Sequence, residues 1–270
     1  MDGIQVLGAT SDQQNENEID TGKNTTAGMM NNSLTSANPA AEKIAPYALL
    51  GMTAVTGLVD AVSFLSLGNV FTANMTGNIL ILAFATARTP GLSVARSLTA
   101  LIAFFVGAIL GGRITASAST DSRIRFAAQA FLLEVVFLTA ASFCSIGYRG
   151  DLLEHSLQPL VLIAFTGLAM GTRNAAVRKL AIPDLTTTVL TLTVTGIAAD
   201  SSLAKGNNPR LARRVGSVLV IFFGAALGAV VIRYSISAAL ALATAVSITC
   251  SAALFSSLRT SEAVNGEHVS

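Results

Sequence analysis

The sequence predicts an all-α polytopic membrane bundle with about six crossings, two further short or re-entrant segments and two internal repeats. Three observations carry that prediction. Of the 270 residues, 52% are hydrophobic and only 12% are charged, against the roughly 25% charge of a soluble domain. Most of the surface therefore does not face water. Apolar stretches of span-forming length recur from residue 46 to residue 258, and about 20 residues suffice to cross a ~30 Å hydrocarbon core. Two of the stretches are interrupted by Asn, Thr and Asp at corresponding places in the chain. The expected partner is the lipid bilayer; a net charge of +2 is too small to point to nucleic acid.

Residues 1–44 read as a polar, disordered tail rich in Asn, Thr, Ser and Gln, too polar to bury a core. They lack the basic and apolar regions of a secretory signal. A single membrane domain is expected over 45–258, followed by a short polar tail over 259–270. Its apolar segments lie near 46–67, 70–87, 97–118, 126–147, 157–172, 185–199, 215–232 and 236–258. The first, third, fourth and eighth are long enough to cross, and the fifth and seventh reach that length by extending into neighbouring apolar residues. The second opens with Thr72, Asn74, Thr76, Gly77 and Asn78, which leaves about half a span. The sixth is short and carries Thr186, Thr187, Thr188, Thr191, Thr193 and Thr195. Both read as half-helices preceded by irregular polar backbone. Such backbone persists at membrane depth only where protein or a water-filled cavity satisfies its polar groups.

The two halves also match each other. A shift of 110 residues lays Thr56, Gly57, Asn74, Thr76 and Asn78 on Thr166, Gly167, Asp184, Thr186 and Thr188. A shift of 117 lays Gly107 and Gly111 on Gly224 and Gly228. The consistent order predicts a duplication, with repeat one at 46–118 and repeat two at 157–232. If all eight segments cross, the Lys and Arg residues divide almost evenly between the faces. If the second and sixth enter and leave on one face, only Arg88, Arg96, Arg149 and Arg233 lie opposite a majority of twelve. By the positive-inside tendency that bias predicts six crossings, cytoplasmic termini and antiparallel repeats; eight crossings is the alternative.

Asp60 lies mid-segment, where a carboxylate is costly and faces a cavity or a partner. It reads either as a proton or cation relay or as a structural residue bonded to backbone or to Arg173. Glu134 is likewise flanked by apolar residues and reads either as a relay like Asp60 or, preferably, as a stem near the interface reaching for water. Asn74, Thr76 and Asn78 offer neutral donors and acceptors that suit an uncharged or hydrated solute, anion contact at a half-helix N-terminus, or capping and interhelical bonding. Arg173 and Asn174 precede Asp184, Thr187 and Thr188; Arg173 is placed to neutralise Asp60 or Asp184, to meet an anionic solute, or to serve as a cytoplasmic charge. Pro183-Asp184 fits a break before a half-helix with Asp184 as its cap. The candidate solute or ion site is thus Asp60, Asn74, Thr76, Asn78, Arg173, Asn174, Asp184, Thr187 and Thr188. Gly107, Gly111, Gly224 and Gly228 read as close helix contacts. Cys144 and Cys250 read as small packing residues without metal-ligand spacing. No nucleophile–base set, phosphate loop or metal motif is present, so neither an enzyme nor a cofactor or metal is expected.

The stretches GLVDAVSFLSLGNVFTANMTGN at 57–78 and GTRNAAVRKLAIPDLTTTVLTLTVTGIAADS at 171–201 resemble the YoaK-type family of bacterial membrane proteins. The resemblance covers about residues 45–258. It implies a multi-pass protein of the bacterial inner membrane with about six spans, and it carries no accepted substrate or mechanism. The functional expectation therefore rests on architecture: a small secondary transporter or channel-like permease, passive or ion-driven, with Asp60 as candidate coupling group. The alternative is a non-transporting membrane partner or sensor whose polar motifs only pack helices. Oligomeric state stays open.

Overall fold

The computed structural model describes residues 39–119, 122–148, 150, 157–180, 190–208 and 210–267. Asp184, Thr187 and Thr188 lie outside the described residues, as do Pro183 and the tail up to residue 38. The described residues form helices α1 (Pro39–Ser66), α2 (Met75–Thr86), α3 (Val94–Ala116), α4 (Arg123–Cys144), α5 (Leu157–Leu180), α6 (Leu190–Ala199), α7 (Leu211–Ile232) and α8 (Ile236–Glu267). Six of them are long and apolar enough to cross a membrane, while α2 and α6 are shorter apolar helices. The chain is a polytopic helical membrane bundle. Its last helix runs on in polar turns beyond the apolar segment that ends at 258.

Chain direction follows from where glycines let backbones touch. A Cβ on Gly107 would collide with the Leu168 carbonyl, and one on Gly111 with the Thr172 carbonyl. Both contacts advance by four residues in the same sense, so α3 and α5 run parallel. The hydroxyl of Thr172 donates to the Gly107 carbonyl at 3.1 Å across the same seam. Gly224 lies in the same way against the Ala54 carbonyl, and Gly228 against Leu58, so α7 runs parallel to α1. Without a hydrophobic force between helices in lipid, such small-residue seams let van der Waals contact and interhelical hydrogen bonds hold the bundle.

Helix α1 ends at Leu67-Gly68-Asn69, where Gly68 (φ +101°) and Asn69 (φ 56°) adopt the left-handed conformation that reverses a chain after a helix. The Asn69 amide donates to the Gly91 carbonyl at 3.3 Å, and Gly68 packs on the Arg96 side chain. The end of α1 and the start of α3 therefore share one face, and the segment between them enters and leaves there. Residues 69–73 descend beside α1, and α2 climbs back. Because α5 follows α3 and α7 follows α1 in direction, the segment between α5 and α7 returns to the opposite face. The termini of the spanning bundle, at the start of α1 and the end of α8, lie on that second face.

The contacts form a cross-paired pattern. The most extensive are α3 on α5 and α1 on α7; α4 packs on α5 as α8 packs on α1; α4 meets α8; α2 packs on α3 as α6 packs on α7. Gly57 faces the Ile221 carbonyl and Ala225 N–H, while Gly171 faces the Phe104 carbonyl and Ala108 N–H. Equivalent contacts thus pair 54, 57 and 58 with 168, 171 and 172, an offset of 114, and 104, 107 and 108 with 221, 224 and 225, an offset of 117. The second offset has the same value as one shift of the sequence comparison. The first lies one helical turn from its 110.

Helices α1 and α5 are the most enclosed, and α3 and α7 face outward. The apolar core is split in two. One cluster contains Val59, Leu138, Met170 and Leu240; the other contains Leu49, Phe131, Ala176 and Leu254. A polar layer lies between them.

Candidate functional site

That layer is built from four helices. The Arg173 guanidinium (α5) donates from Nη1 to Glu134 Oε1 (α4) at 3.2 Å and to the Met52 carbonyl at 2.8 Å. From Nη2 it donates to Thr56 Oγ1 (α1) at 2.8 Å. Ser247 (α8) donates to the same Glu134 oxygen at 3.2 Å. Arg173 and Glu134 are both fully buried. An unpaired charge at this depth is costly, so each ion here is answered by the other and by polar atoms around it. Glu134 is therefore not a stem reaching for water, as its sequence context suggested. Arg173 pairs directly with Glu134, and its charge reaches Asp60 only from a distance.

On the other side of Thr56 lies a cleft of about 820 Å3. Its walls are Thr56 and Asp60 on α1, the start of α2 with Asn74, Thr76, Gly77 and Leu80, the start of the described α6 with Leu190, Thr191, Val194 and Thr195, and Ile221 on α7. Thr56 and Asp60, one turn apart, present the same helical face. Thr191 and Thr195 repeat that spacing on α6.

Asp60 Oδ1 accepts the backbone N–H groups of Thr72 and Ala73 at 3.0 and 2.9 Å, pinning the descending strand to α1. The other carboxylate oxygen has no partner among the described residues. Asn74 caps α2, its side-chain oxygen accepting from Gly77 N at 3.4 Å. Asn78 is buried and bound to Phe71 on both sides: Oδ1 accepts the Phe71 N–H at 3.1 Å and Nδ2 donates to the Phe71 carbonyl at 2.6 Å. Phe71 stacks on Phe64 with centroids 4.9 Å apart. The far end of α6 is tied to α7 by Arg214, which donates to the Gly196 carbonyl at 2.8 Å and pairs with Asp200 at 2.6 Å.

Of the residues the sequence singled out, Asp60, Asn74 and Thr76 meet in the cleft. Asn78 is used by the loop and Arg173 by the buried layer. Asn174 is half-buried beside Arg173 on α5 and does not line the cleft. Sequence reasoning placed no weight on Thr56, Thr191 or Thr195 as lining residues. The four-residue spacing of each pair along one helical face was the available signal.

The fold and its polar interior define a multi-pass helical membrane protein, with two short apolar helices beside its six long ones. The chain belongs to the family described as "Protein of unknown function (DUF1275)", which matches residues 48–253. It is similar to the "UPF0700 transmembrane protein YoaK" of Bacillus subtilis (strain 168), with 37% identity over 154 residues, 57% of this chain. The match spans 65% of that relative's length, just under two thirds. No solved structure matches.

Proposed function

We propose that this chain is a small permease of the bacterial plasma membrane, moving a small solute or ion through a site between its two half-helices. One observation carries the reading: segments entering from opposite faces bring the starts of α2 and α6 to a single cleft that contains Asp60. Interrupted helices at equivalent positions of inverted repeats are the usual address of a transporter's binding site, and the cross-paired contacts support such a duplication. The Lys and Arg bias supports cytoplasmic termini, with Arg88, Arg96, Arg149 and Arg233 outside. Transport is passive or ion-driven.

The experiment is solute-elicited current or flux in proteoliposomes of the purified protein. Flux that Asp60→Asn reduces is the expected result, and flux unchanged by that substitution removes Asp60 from the mechanism. A second reading has its own support, because Asn78 and one oxygen of Asp60 are spent on holding the loop. In that reading the chain is a non-transporting partner or sensor. It predicts that no ion, sugar, amino acid or organic acid raises the melting temperature in detergent.

A further inference from the structure

The charge inventory around the cleft is one-sided. Among the described residues lining it, Asp60 is the one ionisable side chain, and the other polar groups are the hydroxyls of Thr56, Thr76, Thr191 and Thr195 and the amide of Asn74. The nearest buried cation, Arg173, donates to Glu134, the Met52 carbonyl and Thr56 instead of to Asp60. Arg214 is engaged at the other end of α6 by Asp200 and Gly196. Asp60 therefore presents to the cleft a carboxylate oxygen that forms no ion pair among the described residues, the Arg173 charge acting on it only from a distance. A helix N-terminus ordinarily favours anions, but several of the donors at the approach to α2 are already taken. Asp60 Oδ1 holds the N–H groups of Thr72 and Ala73, and Asn74 holds that of Gly77. An anion would meet the Asp60 carboxylate and, among the described lining residues, no cationic side chain to offset it.

The remaining wall is apolar, supplied by Leu80, Leu190, Val194 and Ile221. The volume, about 820 Å3, is far larger than a bare metal ion needs and falls within the roughly 300–1,000 Å3 of small-molecule sites.

We propose that the cleft binds an amphipathic organic monocation, its ammonium group on the free oxygen of Asp60 and its apolar body against Leu80, Leu190, Val194 and Ile221. The ammonium hydrogens left over would be accepted by threonine hydroxyls, which serve equally as acceptors or donors. The inference rests on the cleft being the solute site and deepens that reading by naming the class of solute.

The test uses three probes with one phenylethyl body and three head groups: 2-phenylethylammonium, 2-phenylethanol and 3-phenylpropanoate. Each is titrated calorimetrically into the full chain in a neutral maltoside detergent. The ammonium should bind with one site per chain, and the alcohol and carboxylate at least about tenfold more weakly, the scale of a lost hydrogen bond to a charged group. Asp60→Asn keeps an acceptor for Thr72 and Ala73 while removing the charge, and should weaken the ammonium by at least about tenfold. Thr191→Lys, on the exposed side of α6, should do the same by supplying a competing cation. Alcohol or carboxylate binding as tightly as the ammonium overturns the monocation class while leaving the permease reading to the flux measurement. Ammonium binding that is unchanged in both variants, or absent from the unsubstituted chain, overturns it as well.

Discussion

Consider replacing Glu134 by Leu. The substitution leaves the Arg173 guanidinium at full burial with the Met52 carbonyl and Thr56 as its remaining oxygen partners. The attraction lost at 3.2 Å is about 5 kcal/mol at an effective dielectric of about 20, and removing one partner of a buried pair costs about 3–5 kcal/mol. Arg173→Met should cost a similar amount by stranding the Glu134 carboxylate, which keeps only Ser247. The double variant should behave differently. Glu134 Oε2 and Arg173 Nε lack hydrogen-bond partners among the described residues, so desolvation of the pair is incompletely offset, and an apolar pair of similar volume restores much of the loss. A double-mutant cycle of unfolding in mixed micelles should therefore give singles down by about 3–5 kcal/mol and a double that recovers at least about 2 kcal/mol. Additive singles, or singles below about 1 kcal/mol, would refute the assignment of these two charges to one another.

Two further outcomes follow from the packing. Gly107→Ala puts a methyl into the Leu168 carbonyl and should lower stability by about 1–3 kcal/mol, whereas Gly112→Ala on the same helix, with nothing within 4 Å, should be silent in the same thermal assay; equal effects would contradict the α3–α5 seam. Single cysteines at Arg88 and Leu203, in a Cys144→Ser/Cys250→Ser background, should react with a membrane-impermeant maleimide from opposite sides of oriented vesicles. Labelling from one side would refute the two returning half-helices.

Much of this was legible in the sequence. Spans announce themselves because each must supply about 20 apolar residues by itself, and a segment that cannot do so is visible as short, as at 70–87 and 185–199. Asp60 and Asn74 were readable because a carboxylate or an amide in such a place needs a reason. The register of the proposed repeats was less secure. A slip of four residues returns a side chain to nearly the same helical face, so the Thr-Gly-Leu match at 110 and the packing at 114 have similar apolar patterns. Only backbone contact separates them, through Gly57 on Ile221 and Gly171 on Phe104.

By itself, the sequence determined the membrane class, the six long spans and the two short interrupted segments, because these depend on how many consecutive apolar residues a helix carries. The tertiary structure decided what the polar residues do. It paired Arg173 with Glu134 across α4 and α5, turned Asn78 into a brace for Phe71, and brought Thr191 and Thr195 across from Asp60. A buried polar group must find a partner somewhere, but which one it finds depends on the rotation and depth of neighbouring helices, and neither is written in the residues of one helix alone.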